Sequence, residues 1–172
     1  MSQFGGPRAL ADVHNGTIIA VVEIAAPPDR VFKALSSAEI TQWWGDDQTY
    51  KTDSWECDLR VGGRWRAGGK SADGNPYHVE GEYLEVDPPH RLVQTWHPGW
   101  DPEATILSYY LDNTPVGTRL TIRHEGFKSR RESCEAHSSG WERVLGWLKA
   151  HFETNTSKLG ASVPSASRKL EA

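Results

Sequence analysis

The chain has 172 residues, enough for one domain with its own core, and a formal net charge of −4 that gives no drive towards nucleic acid or an anionic membrane. No run of eighteen apolar residues occurs and the start lacks a secretory apolar stretch, so the expectation is a cytoplasmic protein without a membrane span. Cys57 and Cys134 are too few for a disulfide framework, whereas eight tryptophans are more than an ordinary core of this size needs.

Residues 1–16 lack apolar periodicity and are expected to be flexible. Thr17 to Ile24 is a β-branched apolar run, read as a buried strand. Pro27 and Pro28 end it, and Asp29 favours the first turn of a helix whose apolar face is Val31, Phe32 and Leu35. Ser36-Ser37-Ala38-Glu39 reads as a capping box for a second short helix carrying Ile40, Trp43 and Trp44, which Gly45 ends. Each of these helices is expected to span about two turns.

From Gln48 the period changes to two. Strands are expected around Trp55 to Leu59, Arg64 to Ala67, Tyr77 to Val86, His90 to His97, Ala104 to Leu111 and Arg119 to Glu125. Gly62-Gly63 and Asp73-Gly74-Asn75-Pro76 supply turns between them. A last helix is expected from about Ser133 to Phe152, with Trp141, Val144, Leu145, Leu148 and Phe152 on one face and His137 one turn earlier. Residues 154–172 are small and polar, and a disordered tail is expected there. The folded module is therefore 17–153: an antiparallel meander of about seven strands, whose buried face the long helix must cover.

This order, with its local motifs, resembles the START-like (SRPBCC) superfamily and its helix-grip fold. Within it the chain is similar to bacterial homologues of the heat-shock protein 90 ATPase activator. The matching stretches are Ala26-Pro27-Pro28-Asp29-Arg30-Val31-Phe32-Lys33-Ala34-Leu35, Trp43-Trp44-Gly45, Asp58-Leu59-Arg60-Val61-Gly62-Gly63-Arg64-Trp65, Gly81 to Leu92, and Gly140-Trp141. The resemblance implies an α+β fold, a curved antiparallel sheet around a C-terminal helix with two short helices after the first strand. It implies a binding or carrier role as readily as an enzymatic one, because the superfamily hosts both. The additional N-terminal domain by which the eukaryotic activator contacts the chaperone has no counterpart in this sequence. A homodimer is compatible with the family, and no sequence feature demands one.

Alternation places Trp96 with Leu92 and Gln94, Tyr77 with Val79 and Tyr83, Tyr109 with Leu107 and Leu111, and His124 with Leu120 and Ile122. If those faces meet the helix, Trp44, Trp65, Tyr77, Tyr83, Trp96, Tyr109, His124, Trp141 and Leu145 line one internal cavity. Rings with polar tips suit an apolar or aromatic small molecule that must be oriented. The bland reading of each ring is ordinary packing. His124 interrupts an apolar strand face; the commoner reading is a hydrogen-bonded core histidine, and the alternative is an acid/base in a cyclase- or hydrolase-like enzyme. The seven histidines form no close ligand pair, neither cysteine lies in a CxxC, and no triad or phosphate loop is visible, so no metal or cofactor is expected and the sequence leans away from an enzyme without deciding it. The leading expectation is a small-molecule-binding protein, with the enzyme and a chaperone-type interaction role as alternatives.

Overall fold

In the computed structural model, residues 5–171 are described in backbone and residues 5–154 in side chain. The expectation of a disordered tail over 154–172 falls almost wholly outside the residues whose side chains are described. Eight strands form one antiparallel sheet in the order β1-β2-β8-β7-β6-β5-β4-β3. They are β1 (Arg8–Asp12), β2 (Thr17–Ile24), β3 (Tyr50–Cys57), β4 (Arg64–Ser71), β5 (Pro76–Asp87), β6 (Arg91–Pro98), β7 (Thr105–Thr114) and β8 (Gly117–Glu125). Two short helices, α1 (Pro28–Ser36) and α2 (Ile40–Trp43), lie between β2 and β3, and α3 (Arg131–Glu171) follows β8. The architecture is the α+β helix grip, with eight strands where about seven are expected.

The extra strand is β1, inside the segment expected to be flexible. Its Arg-Ala-Leu-Ala-Asp sequence has too little apolar contrast to read as a strand, and Leu10 is exposed. The pairing with β2, from Arg8 opposite Val21 to Asp12 opposite Thr17, is what orders it. β5 and β6 slip in register between Tyr83 and Glu85, a bulge that bends the meander.

The short helices also differ from expectation. Ser36 is the last residue of α1 rather than an N-cap, and its hydroxyl donates to the Phe32 carbonyl at 2.7 Å. The Ser37 hydroxyl accepts the Glu39 amide at 3.3 Å instead. The Glu39 carboxylate does not reach back to a helix start. It accepts both Arg30 guanidinium nitrogens at 2.9 and 2.7 Å and lies 2.8 Å from His151 Nε2 on α3. Ion pairing that ties α1, α2 and α3 together wins over a local cap. α2 is a single turn of four residues, and Trp44 follows it in extended backbone.

The core lies between the concave sheet face and α3. Inward positions alternate as read: Ile18, Ala20, Val22 and Ile24 on β2, and Thr118, Leu120, Ile122 and His124 on β8, are all buried. Leu107, Tyr109 and Leu111 on β7 continue that face. Trp141, Val144, Leu145, Leu148 and Phe152 of α3 bury against it, so the helix face read from the sequence is the one used.

Candidate functional site

The tryptophans of different elements meet in one continuous cluster. Trp55 of β3 stacks on Trp65 of β4 at 5.7 Å between ring centroids, and Trp65 contacts Trp96 of β6 at 5.7 Å. Trp96 lies 5.7 Å from Trp141 of α3 and stacks on Trp44 at 6.1 Å. Glycine makes part of this possible: a Cβ at Gly81, which pairs with Trp65 across the sheet, would stand 2.7 Å from Trp65 Nε1 and 2.0 Å from the Thr95 carbonyl oxygen. The Trp65 indole occupies that gap and donates to the Thr95 carbonyl at 3.2 Å.

Two spaces adjoin the cluster. The inner one, about 30 Å³, lies among Leu35, Trp55, Trp65, Gln94 and Tyr109, and is on the scale of one or two waters. Two of its lining residues, Gln94 and Trp55, each have a buried polar atom (Oε1 and Nε1) without a partner among the described residues. The outer space is a cleft of about 360 Å³ between the sheet and the first turns of α3, lined by Tyr50, Trp100, His137, Gly140, Trp141 and Arg143, with Ser71, Ala136 and Val144. Trp44, Tyr77, Val79 and Trp96 line both spaces and form the partition between them. The expected internal cavity is therefore largely filled by indoles, and the room for a ligand opens at the mouth of the grip.

The polar groups of the cluster are held in fixed states. Trp141 Nε1 donates to His124 Nδ1 at 3.0 Å, so that nitrogen carries no proton. His124 Nε2 then bears the hydrogen and donates to Thr105 Oγ1 at 2.6 Å, whose own hydroxyl donates to the Trp96 carbonyl at 3.3 Å. The tautomer follows from this network. Burial holds the His124 pKa well below the ordinary imidazole range, with the neighbouring His137 and Arg130 adding to the effect. His137 is the opposite tautomer: it accepts Trp96 Nε1 on Nε2 at 3.3 Å, and its Nδ1 donates to the Ser133 carbonyl at 2.9 Å. Burial lowers its pKa too, against the Ser133 carbonyl and Asp101, which favour the charged form. Both rings are neutral and both are fully engaged. The helix start that carries His137 is anchored by the Arg130–Asp101 ion pair, with Ser133 donating to Asp101 at 3.1 Å.

The structure separates the nine sequence-predicted site residues. Trp44, Tyr77 and Trp96 line both spaces, Trp65 and Tyr109 only the inner one, and Trp141 only the cleft. Tyr83, His124 and Leu145 line neither; all three are fully buried core residues. Burial raises the Tyr77 hydroxyl to about pKa 12, although Thr52, hydrogen-bonded to it at 2.7 Å, works the other way. Burial also holds Tyr83 and Tyr109 far above the ordinary phenol range. Sequence reasoning missed Tyr50, Trp100 and Arg143. Trp100, 63 % exposed in the loop after β6, left one signal: a tryptophan between Gly99 and Asp101 has no strand face to bury on. Tyr50 and Arg143 left none. Among the described residues there is no His/Cys/Asp/Glu group able to hold a metal ion, and no helix is long and apolar enough to cross a membrane.

The geometry can be set beside known proteins. The family model described as "Activator of Hsp90 ATPase homolog 1-like protein" matches residues 25–153. The chain belongs to this family. A solved structure from Rhodobacter sphaeroides superposes with TM-score 0.74 at 18 % identity, covering 87 % of this chain and 99 % of its own. A Silicibacter pomeroyi structure described as the AHSA1 protein gives 0.70 at 24 % identity, covering 81 % and 99 %. One from Chromobacterium violaceum gives 0.67 at 26 % identity, covering 80 % and 97 %. A search of curated proteins returned no match. These likenesses carry the helix-grip fold, and the family is one whose fold suits ligand binding.

Proposed function

We propose that this protein binds an aromatic small molecule in the outer cleft, between β5, β6 and the first turns of α3. The observation that carries the reading is the cleft itself: about 360 Å³, within the range of small-molecule sites, with four indoles and two phenols on its walls. Burying apolar ligand area there contributes roughly 25 cal/mol per Å² before the costs of association. The hydrogen-bonded indoles Trp96 and Trp141 are fixed in orientation, so the ring platform is preorganised.

The acid/base alternative at His124 has no support from the geometry, because that ring lines neither space and both its nitrogens are engaged. The chaperone reading rests on the family description alone. Gly140 offers a direct test of the cleft. It lines the cleft and a Cβ there meets nothing within 4 Å, so Gly140→Trp is expected to fill the space with no clash at its Cβ. Calorimetric titration of wild type with 2-naphthol is expected to saturate. The plugged variant should keep its unfolding midpoint and bind at least tenfold more weakly. Equal binding in both proteins, or no saturable binding across a panel of neutral bicyclic aromatics, would overturn the reading.

A further inference from the structure

The cleft is asymmetric in charge. Its lining contains one cation, Arg143, and no carboxylate. Arg143 is exposed on α3 and has no carboxylate within 4 Å among the described residues, while eight other arginines (30, 60, 64, 66, 91, 119, 123 and 130) do. Beside it stands the Tyr50 hydroxyl, which accepts Trp44 Nε1 at 3.2 Å. No described residue takes the hydroxyl's own hydrogen, so that hydrogen is left to donate. Burial raises the Tyr50 pKa, keeping it a neutral donor. Three carboxylates outside the lining act on its residues, Asp46 on Tyr50, Asp53 on Tyr77 and Asp101 on His137; Asp46 already accepts from Gln48 and Thr49, and Asp101 is paired with Arg130 and accepts from Ser133. The mouth thus presents two unmatched donors, one of them charged, above an aromatic floor.

We propose that the cleft selects aromatic acids: the rings lie among Trp44, Trp96, Trp100 and Trp141, and the carboxylate is held at the mouth by Arg143 and the Tyr50 hydroxyl. This rests on the binding reading above and narrows it to a ligand class. A guanidinium suits a carboxylate because its N–H groups can donate in pairs to the two oxygens. The charged end stays near water, so its desolvation cost is small, while the rings take the buried area. A cationic aromatic would instead face Arg143 without a counter-charge.

The test compares 2-naphthoate with 2-naphthamide, which share shape and size but not charge, by calorimetry on the full chain. Wild type should bind the naphthoate about five- to tenfold more tightly at low ionic strength, the scale of a charge-assisted contact that solvent still reaches. The preference should shrink as salt is added. Arg143→Met should bring the two affinities together by weakening the naphthoate alone, and Arg143→Lys should keep only part of the preference. Tyr50→Phe should reduce the preference as well; a loss of both ligands alike would show that Tyr50 merely supports Trp44 and would remove it from the carboxylate site. Equal affinities in wild type, or a preference unchanged by Arg143→Met, would overturn this inference while leaving the cleft as an aromatic site. Binding of neither ligand would overturn the inference and the binding reading together.

Discussion

The two halves of the sheet bury different kinds of side chain, and the outer cleft opens on only one of them. Along β2, β7 and β8 the inward residues are mainly branched aliphatics (Ile18, Val22, Ile24, Leu107, Leu111, Leu120 and Ile122), sealed by Leu145 and Leu148 of α3. Along β3 to β6 the rings Trp55, Trp65, Tyr83 and Trp96 stand among Thr52, Val79, Leu92 and Gln94. Branched aliphatics interdigitate to the density of a crystal. Indoles are rigid plates that meet stacked or edge-on at centroid spacings near 5–6 Å, and the gaps between plates are hard to fill with neighbouring side chains. The lesson is that the aliphatic half packs closed while the aromatic half leaves a cleft beside it.

That division can be broken most directly by truncating one residue on each side. Leu148→Ala removes a side chain with no exposure and should cost about 3 kcal/mol of stability. It should leave the affinity for 2-naphthol within twofold, as judged by urea unfolding and calorimetry. Trp100→Ala, at an exposed cleft residue, should do the reverse: unchanged stability and a clear loss of affinity. If Leu148→Ala abolished binding while still folded, the two halves would not be separable.

His124 sits at the seam, on the aliphatic strand β8 but bonded to Trp141, and it predicts a smaller, pH-dependent effect. Its pKa is depressed in the folded protein by burial, so below the ordinary imidazole range the unfolded chain binds a proton that the native chain resists. Stability is then fully present above about pH 6.5 and falls as the pH drops, by up to about 1.4 kcal/mol per pH unit for this group. Denaturant melts between pH 8 and pH 5 should show that slope, and His124→Gln should reduce it. A slope identical in the variant would assign the pH dependence elsewhere.

The smallest effect sharpens the comparison from inside the aromatic half. Gln94 is 3 % exposed and its Oε1 has no partner among the described residues, so Gln94→Leu removes an unsatisfied acceptor. Its expected outcome is neutral to stabilising, by up to about 1 kcal/mol. A loss of more than that in the unfolding midpoint would mean that the carboxamide is better satisfied than the geometry shows.

The sequence by itself determined the order of elements from β2 onward, the inward faces of those strands and the buried face of α3, because those depend on periods of two and 3.6 that survive without any partner. It also determined the family, through motifs such as Trp43-Trp44-Gly45 and the stretch from Gly81 to Leu92. What only the tertiary structure decided was which aromatic residues face space and which face other rings. Trp96 and Tyr83 are both inward by alternation, yet Trp96 walls the cleft and Tyr83 lies in solid core. The difference comes from the curl of the sheet and the position of α3 across it, which no local pattern records. The same holds for β1, ordered by pairing with β2, and for Glu39, drawn from a local cap to Arg30 and His151. Tyr50 and Arg143 are adjacent only because a strand edge and a helix turn converge at the cleft mouth, and long-range proximity of that kind has no periodic signature in a single chain.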